Sequence, residues 1–188
     1  EIKSFALKLK NPDIKNEKQT TYAINLDYNK NIITKQGEKG DFEYTIPYEI
    51  TPKCFTIFGA EHKINKDSKN VLTCNKQKIA IPENSKKLTL ICASLGGDKN
   101  AEFNIDGETV KKFIPDAFER VARWDMYDFK ETARIKDCSV AFESTHCHKD
   151  GEDVFAKLVY FFAVTFDVKG KNELVLPEDS DILILSAV

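Results

Sequence analysis

No apolar run in this sequence approaches the roughly 20 residues that a membrane-crossing helix needs. Nothing reads as a signal peptide, so no membrane partner is expected. An excess of basic charge is missing too. Lys and Arg total 28 against 30 Asp and Glu, a formal net charge of -2. The lysines are interleaved with acids as on an ordinary solvated surface, which excludes nucleic acid as an expected partner. There is no P-loop, GxGxxG fingerprint, HExxH or G-x-S-x-G, so the common nucleotide, zinc-protease and serine-hydrolase signatures are absent. The five cysteines (Cys54, Cys74, Cys92, Cys138, Cys147) are odd in number, irregularly spaced and lack a CxxC. Cys54, Cys74 and Cys92 sit in or beside apolar segments, where a free thiol behaves as a small hydrophobe. A reducing, cytoplasmic setting is therefore expected, not a disulfide framework. Initiator methionine is also lacking, and the expectation is a piece of a longer protein.

What is present is apolar patterning at strand spacing. The 188 residues are 41% hydrophobic and 31% charged, enough for one cored domain with a solvated surface. Residues 1–9 alternate like a strand and are expected to close a preceding β-domain. Residues 10–18, polar with Pro12, read as a linker, leaving 19–188 as the main domain. Strands are expected over 22–26, 42–48, 54–58, 71–74, 77–81, 88–93, 101–105 and 109–113. Asp106-Gly107 is a two-residue hairpin turn between the last two. Only 116–124 has helical spacing, and only briefly. From Val154 to Val168 every even position is apolar or aromatic, so one long strand with a continuous core face is expected. Short strands punctuated by turn residues make an all-β, antiparallel β-sandwich the expected fold. Residues 79–88 and 174–183 echo each other: each is a strand, a proline, a polar turn and a second apolar strand.

Several groups have chemical potential. His146 and His148 share a strand face, with Asp150, Glu152 and Asp153 close behind. Two imidazoles and a carboxylate can bind Zn²⁺, but no third ligand stands at a recognised spacing, so no metal site is assigned. These histidines are expected to brace a carbohydrate or interdomain contact. Cys147, between them, should face the opposite side and cannot be paired with a histidine base. Trp124, Asp125 and Tyr127 combine aromatic faces with a carboxylate, as a sugar site does; a core tryptophan pinning a loop explains Trp124 more simply. Asp116 with Glu119, or Glu131 with Asp137, has the makings of a glycosidase carboxylate pair. Asp98, Asn100, Asp106 and Glu108 are loop oxygens of the kind that hold Ca²⁺.

The order of motifs resembles the C-terminal β-domain of bacterial and fungal α-mannosidases of glycoside hydrolase family 38. The resemblance runs through Glu1-Ile2-Lys3-Ser4-Phe5, Asn25-Leu26-Asp27, Gly40-Asp41-Phe42, Ile46-Pro47, Asn70-Val71, Ile79-Ala80-Ile81-Pro82 and Trp124-Asp125. It continues through Val140-Ala141-Phe142, Thr145-His146-Cys147-His148, Tyr160-Phe161-Phe162, Leu176-Pro177 and the final apolar strand. Cys147 stands where that family has arginine, and Phe142 where it has tryptophan. The resemblance implies a non-catalytic domain of a retaining, zinc-dependent glycosidase that packs against other domains of the same chain and helps to shape a mannoside site. Catalytic residues and zinc would lie in the parent's N-terminal domain, so no catalytic residue and no cofactor is expected here. A self-standing carbohydrate-binding module is the alternative.

Overall fold

A computed structural model describes residues 21–188; the expected first strand and linker lie outside the described residues. Seventeen strands follow in order: β1 (Ile33–Thr34), β2 (Ile46–Pro47), β3 (Cys54–Ile57), β4 (Ala60–Lys63), β5 (Leu72–Thr73) and β6 (Lys78–Ala80). Then come β7 (Lys87–Ser94), β8 (Lys99–Ile105), β9 (Glu108–Ile114), β10 (Ala122–Asp125), β11 (Lys130–Ala133) and β12 (Ser139–Ser144). The last are β13 (Cys147–Lys149), β14 (Glu152–Val154), β15 (Val159–Asp167), β16 (Glu173–Val175) and β17 (Ile182–Ala187). No described residue is helical, and 116–124 forms turns before entering β10. The all-β sandwich expected from the sequence is what the chain adopts.

Two sheets stack at its centre. One has five strands in the order β12-β15-β7-β17-β5, the other four in the order β6-β16-β8-β9. Every strand pairing within them is antiparallel, whereas the two-residue β1–β2 pair is parallel. Between the sheets, Leu88, Leu90, Val164, Phe166, Ile182 and Ile184 of the larger sheet meet Ile79, Ala101, Phe103, Ile105 and Leu174 of the smaller. Phe103 and Phe166 meet edge-on, 4.8 Å between ring centroids, the arrangement aromatic quadrupoles favour.

The other face of the five-stranded sheet is buried as well. Ile91, Ala93, Tyr160, Phe161, Ala163, Leu183 and Leu185 belong to a second core, roofed by Ile32, Ile33, Ile46, Ile64, Val71 and Ala117. Being buried on both faces explains why β7, β15 and β17 read as near-continuous apolar runs without clean alternation.

The run from 154 to 168 is not one strand. The chain turns at 155–156 and resumes as β15 at Val159, leaving Phe155 72% exposed and Ala156 exposed. The even-numbered row is core only from Tyr160 onward. Residues 22–26 form no ladder either. Ile24 N–H donates to the Ala187 carbonyl at 3.0 Å and Leu26 is buried, so the segment packs along β17 as an irregular chain. Cys54 is exposed, contrary to its expected buried setting, while Cys74, Cys92 and Cys147 are buried; all five thiols are free.

The sequence echo has a structural meaning. β6 pairs antiparallel with β16 in the smaller sheet, and β7 pairs antiparallel with β17 in the larger. Each echoing segment is thus an arch that leaves one sheet at a proline (Pro82 or Pro177) and enters the other. The two arches lie side by side, running in opposite directions.

His62 is fully buried in β4, with Nδ1 3.2 Å from the Ser186 hydroxyl, its ring stacked on Phe55, and Nε2 without a partner among the described residues. Burial pushes its pKa down from 6.5 to about 4. Above pH 6.5 the imidazole is neutral folded or unfolded. As pH falls toward 4 the unfolded chain takes a proton that the folded chain refuses, so stability is lost on acidification. The difference amounts to roughly 3 kcal/mol at about 1.4 kcal/mol per unit. Urea unfolding at pH 7 and pH 4 should therefore show His62→Leu losing about 2–3 kcal/mol less than the parent on acidification. Equal losses would show that His62 does not carry this dependence.

Candidate functional site

The β13–β14 hairpin is built by the turn Asp150-Gly151, with φ of 53° and 86°. Positive φ at both positions is the type I′ geometry that suits a two-residue hairpin. It sets Lys149 opposite Glu152, His148 opposite Asp153 and Cys147 opposite Val154. His148 also exchanges both backbone hydrogen bonds with Thr45, at 2.9 Å each, so the hairpin is tied to the β2 segment. Gly151 is buried against Gly37. Its carbonyl accepts from Gly37 N–H at 2.8 Å, and a Cβ on Gly151 would lie 2.8 Å from the Gly37 carbonyl carbon.

That turn brings together what the sequence only lined up. Asp153 Oδ1 lies 3.1 Å from Nε2 of His148 and 3.7 Å from Nε2 of His146. The three side-chain donors all lie within 4.8 Å of one another. His148 is 1% exposed, and its Nδ1 is 3.2 Å from the Thr34 hydroxyl, itself 2.6 Å from the Thr45 hydroxyl. His146 Nδ1 sits 3.2 Å from the Thr145 hydroxyl, and its ring leans on Phe155 at 5.1 Å. As strand alternation requires, Cys147 points the other way into the second core, its Sγ 3.9 Å from the Val154 carbonyl. Burial pushes its thiol pKa up, the reverse of what a nucleophile needs.

Trp124, expected as core, is 60% exposed. It stands in β10 opposite Glu131 of β11, and the hairpin tip carries Met126, Tyr127 and Phe129 at 75%, 96% and 77% exposure. The Asp125 side chain lies outside the described residues. The base of this hairpin is fixed by Arg134, 8% exposed, which donates from Nε to the Arg120 carbonyl (2.8 Å) and from Nη2 to the Glu119 carbonyl (3.0 Å). Its Nη1 pairs with Asp98. Asp98 also accepts the Asp116 N–H at 2.9 Å, and Asp116 in turn accepts the N–H groups of Gly97 (2.6 Å) and Phe118 (2.7 Å). The two histidines thus gather with Asp153, while Trp124 and Tyr127 belong to a different element.

Other sequence candidates fall to structural duties. Asp116 is buried, and its two carboxylate oxygens each accept a backbone N–H. Asp98 serves Arg134, whereas Asp106, at the opposite end of β8, accepts from the Asn172 and Glu173 backbone; the proposed calcium oxygens do not converge. Sequence reasoning missed Arg134, Thr34 and the assignment of Asp153 as partner of both imidazoles. Asp-Gly three residues before Asp153 was the available signal for the last, since a two-residue turn places 148 opposite 153.

A two-sheet, all-antiparallel core with short hairpins on one face defines a β-sandwich domain. The chain belongs to the AziU2-like beta-sandwich domain family, whose model matches residues 18–188. No curated protein matches it. The family match speaks for the sandwich and brings no mannosidase or carbohydrate link.

The Gly151 contact makes a direct prediction. Gly151→Ala combines positive φ with backbone overlap and should cost about 1–3 kcal/mol. Gly96→Ala has φ of 72° but open space around it, and should cost only the smaller conformational part, about 1 kcal/mol. Comparison of urea midpoints checks this; equal losses would remove the close contact as a cause.

Proposed function

We propose that this β-sandwich is a non-catalytic module that acts by contact, docking through the 122–133 hairpin onto another protein domain. The observation that carries the reading is the placement of Trp124, Met126 and Phe129, all largely exposed, on a hairpin anchored by the buried Arg134 network. Exposed apolar groups clustered on one rigid element are typical of interaction sites. The buried thiol of Cys147 and the structural roles of Asp98 and Asp116 favour a module without chemistry of its own. A parent α-mannosidase, with this module braced against its other domains, is the extension that the motif order supports, and five unpaired thiols suit a cytoplasmic setting.

Carbohydrate binding is the second reading, favoured by one specific observation. Trp124 offers an exposed ring with Glu131 directly across the strand pair, an apolar face beside a hydroxyl acceptor.

Two measurements separate these readings. Trp124 is the chain's only tryptophan, so its fluorescence reports on the hairpin alone. The docking reading expects no change on titration with mannose oligosaccharides to millimolar concentration; a saturable change would move the assignment to sugar binding. The double variant Trp124→Ser/Phe129→Ser should bind less of a hydrophobic dye while its stability stays within about 0.5 kcal/mol of the parent, as for surface positions. A loss of several kcal/mol would show that these side chains serve the fold. Hydrolysis of an aryl α-mannoside by this chain alone would sink the non-catalytic reading.

A further inference from the structure

We propose that His146, His148 and Asp153 form a binding site for a divalent transition metal, with Zn²⁺ the ion best matched to it. The proposal goes beyond the contact role of the 122–133 hairpin and does not depend on it.

The donor spacing comes first. In tetrahedral zinc sites with bonds of about 2.0–2.2 Å, neighbouring donor atoms sit about 3.3–3.5 Å apart. Asp153 Oδ1 lies 3.1 Å from one Nε2 and 3.7 Å from the other, which brackets that edge, and no pair of donors exceeds 4.8 Å. His146 is the more movable ring, its side chain 14% exposed against 2% for His148. A small rotation of His146 closes the set around one ion.

Orientation is the second argument. Metal-binding imidazoles hold their far nitrogen against an oxygen, which fixes the ring and its tautomer. Both rings do so here: Nδ1 of His148 rests against Thr34 Oγ1 and Nδ1 of His146 against Thr145 Oγ1, each at 3.2 Å. A hydroxyl accepts as readily as it donates. With metal at Nε2, each Nδ1–H donates to its threonine. Without metal, the hydroxyl can donate to Nδ1 while Nε2 carries the hydrogen. Thr34 makes this change while still paired with Thr45, so neither state strands a buried polar group.

A hydrogen-bonding role for Asp153 leaves one feature unexplained. His148 would suffice as its partner. Nε2 of His146 nevertheless faces the same oxygen at 3.7 Å, beyond hydrogen-bond reach. Convergence of two imidazoles on one carboxylate oxygen is what a shared ion produces. Two nitrogens and a carboxylate oxygen suit Zn²⁺ and its neighbours in the first transition row over Mg²⁺ or Ca²⁺, which prefer all-oxygen shells. Three protein ligands leave a fourth position for water or an external anion, on the side where Asp153 is 29% exposed. Metal there would link the β12–β13 connection to both strands of the hairpin.

The test uses the full chain, stripped with chelator and titrated with Zn²⁺ by calorimetry, and with Co²⁺ by visible absorption. Expected are one ion per chain, a tetrahedral Co²⁺ band, and a rise in melting temperature on adding Zn²⁺. His146→Ala and Asp153→Asn, at partly exposed positions, should melt near the metal-free parent but bind roughly tenfold or more weakly and lose the metal-induced rise. Cys54→Ser removes the exposed thiol, the most accessible accidental ligand, and should bind like the parent. Absence of binding, binding unaffected by His146→Ala and Asp153→Asn, or binding abolished by Cys54→Ser would each overturn the proposal.

Discussion

Burial of β7, β15 and β17 on both faces is the constraint on which the rest depends. A sheet with one wet face needs one cover; this one needs two. The four-stranded sheet supplies the first through Phe103, Ile105 and Leu174. Among the described residues no second sheet of comparable length covers the other side, so short segments around residues 30–71, 117–138 and 145–158 are laid over it. Such pieces satisfy few backbone groups by ladder bonds, and each buried group left over would cost free energy. Side chains make up the difference. Asn70, fully buried, accepts from the N–H groups of Ile32 and Ile33 and donates to the carbonyls of Ile33 and Asp67. Arg134 does the same for the carbonyls of Glu119 and Arg120. The Thr34–Thr45–His148 chain fixes the remaining hairpin.

This division explains what could be read from the sequence. The sandwich itself was legible because long central strands and turn pairs such as Asp106-Gly107 leave local signals, and the hairpin there has φ of 48° and 89° as that turn demands. The covering layer was not legible, because its elements are two to four residues long and held by side chains distant in sequence. Alternation from Val154 to Val168 misled for the same reason: Ala156 fits the even-numbered apolar row, yet it occupies a turn with Phe155. Trp124 looked like core because a lone tryptophan usually is. Its exposure follows from β10–β11 being a two-stranded hairpin outside both central sheets.

For the site, residue type and strand parity were readable, and partner choice was not. Parity alone separated Cys147 from His146 and His148. Choosing Asp153 over Asp150 or Glu152 required the register, and the register comes from two residues with positive φ. The hairpin at 147–154 and the one at 122–133 therefore differ in kind. The first aims polar atoms inward at one another, while the second presents apolar atoms outward.

The place of β17 has a consequence for how such a chain is made. It lies between β7 and β5, inside the sheet, although β7 precedes it by almost the whole remaining sequence. Until residues 182–187 leave the ribosome, β7 has one open edge and both cores lack a wall. Residues 87–94 must then wait, extended and apolar, through the synthesis of nearly ninety more residues, on the order of 5–20 s at typical elongation rates. An unfilled slot of that shape is a template for a strand from another molecule. The sandwich closes that slot only when β17 enters between β7 and β5.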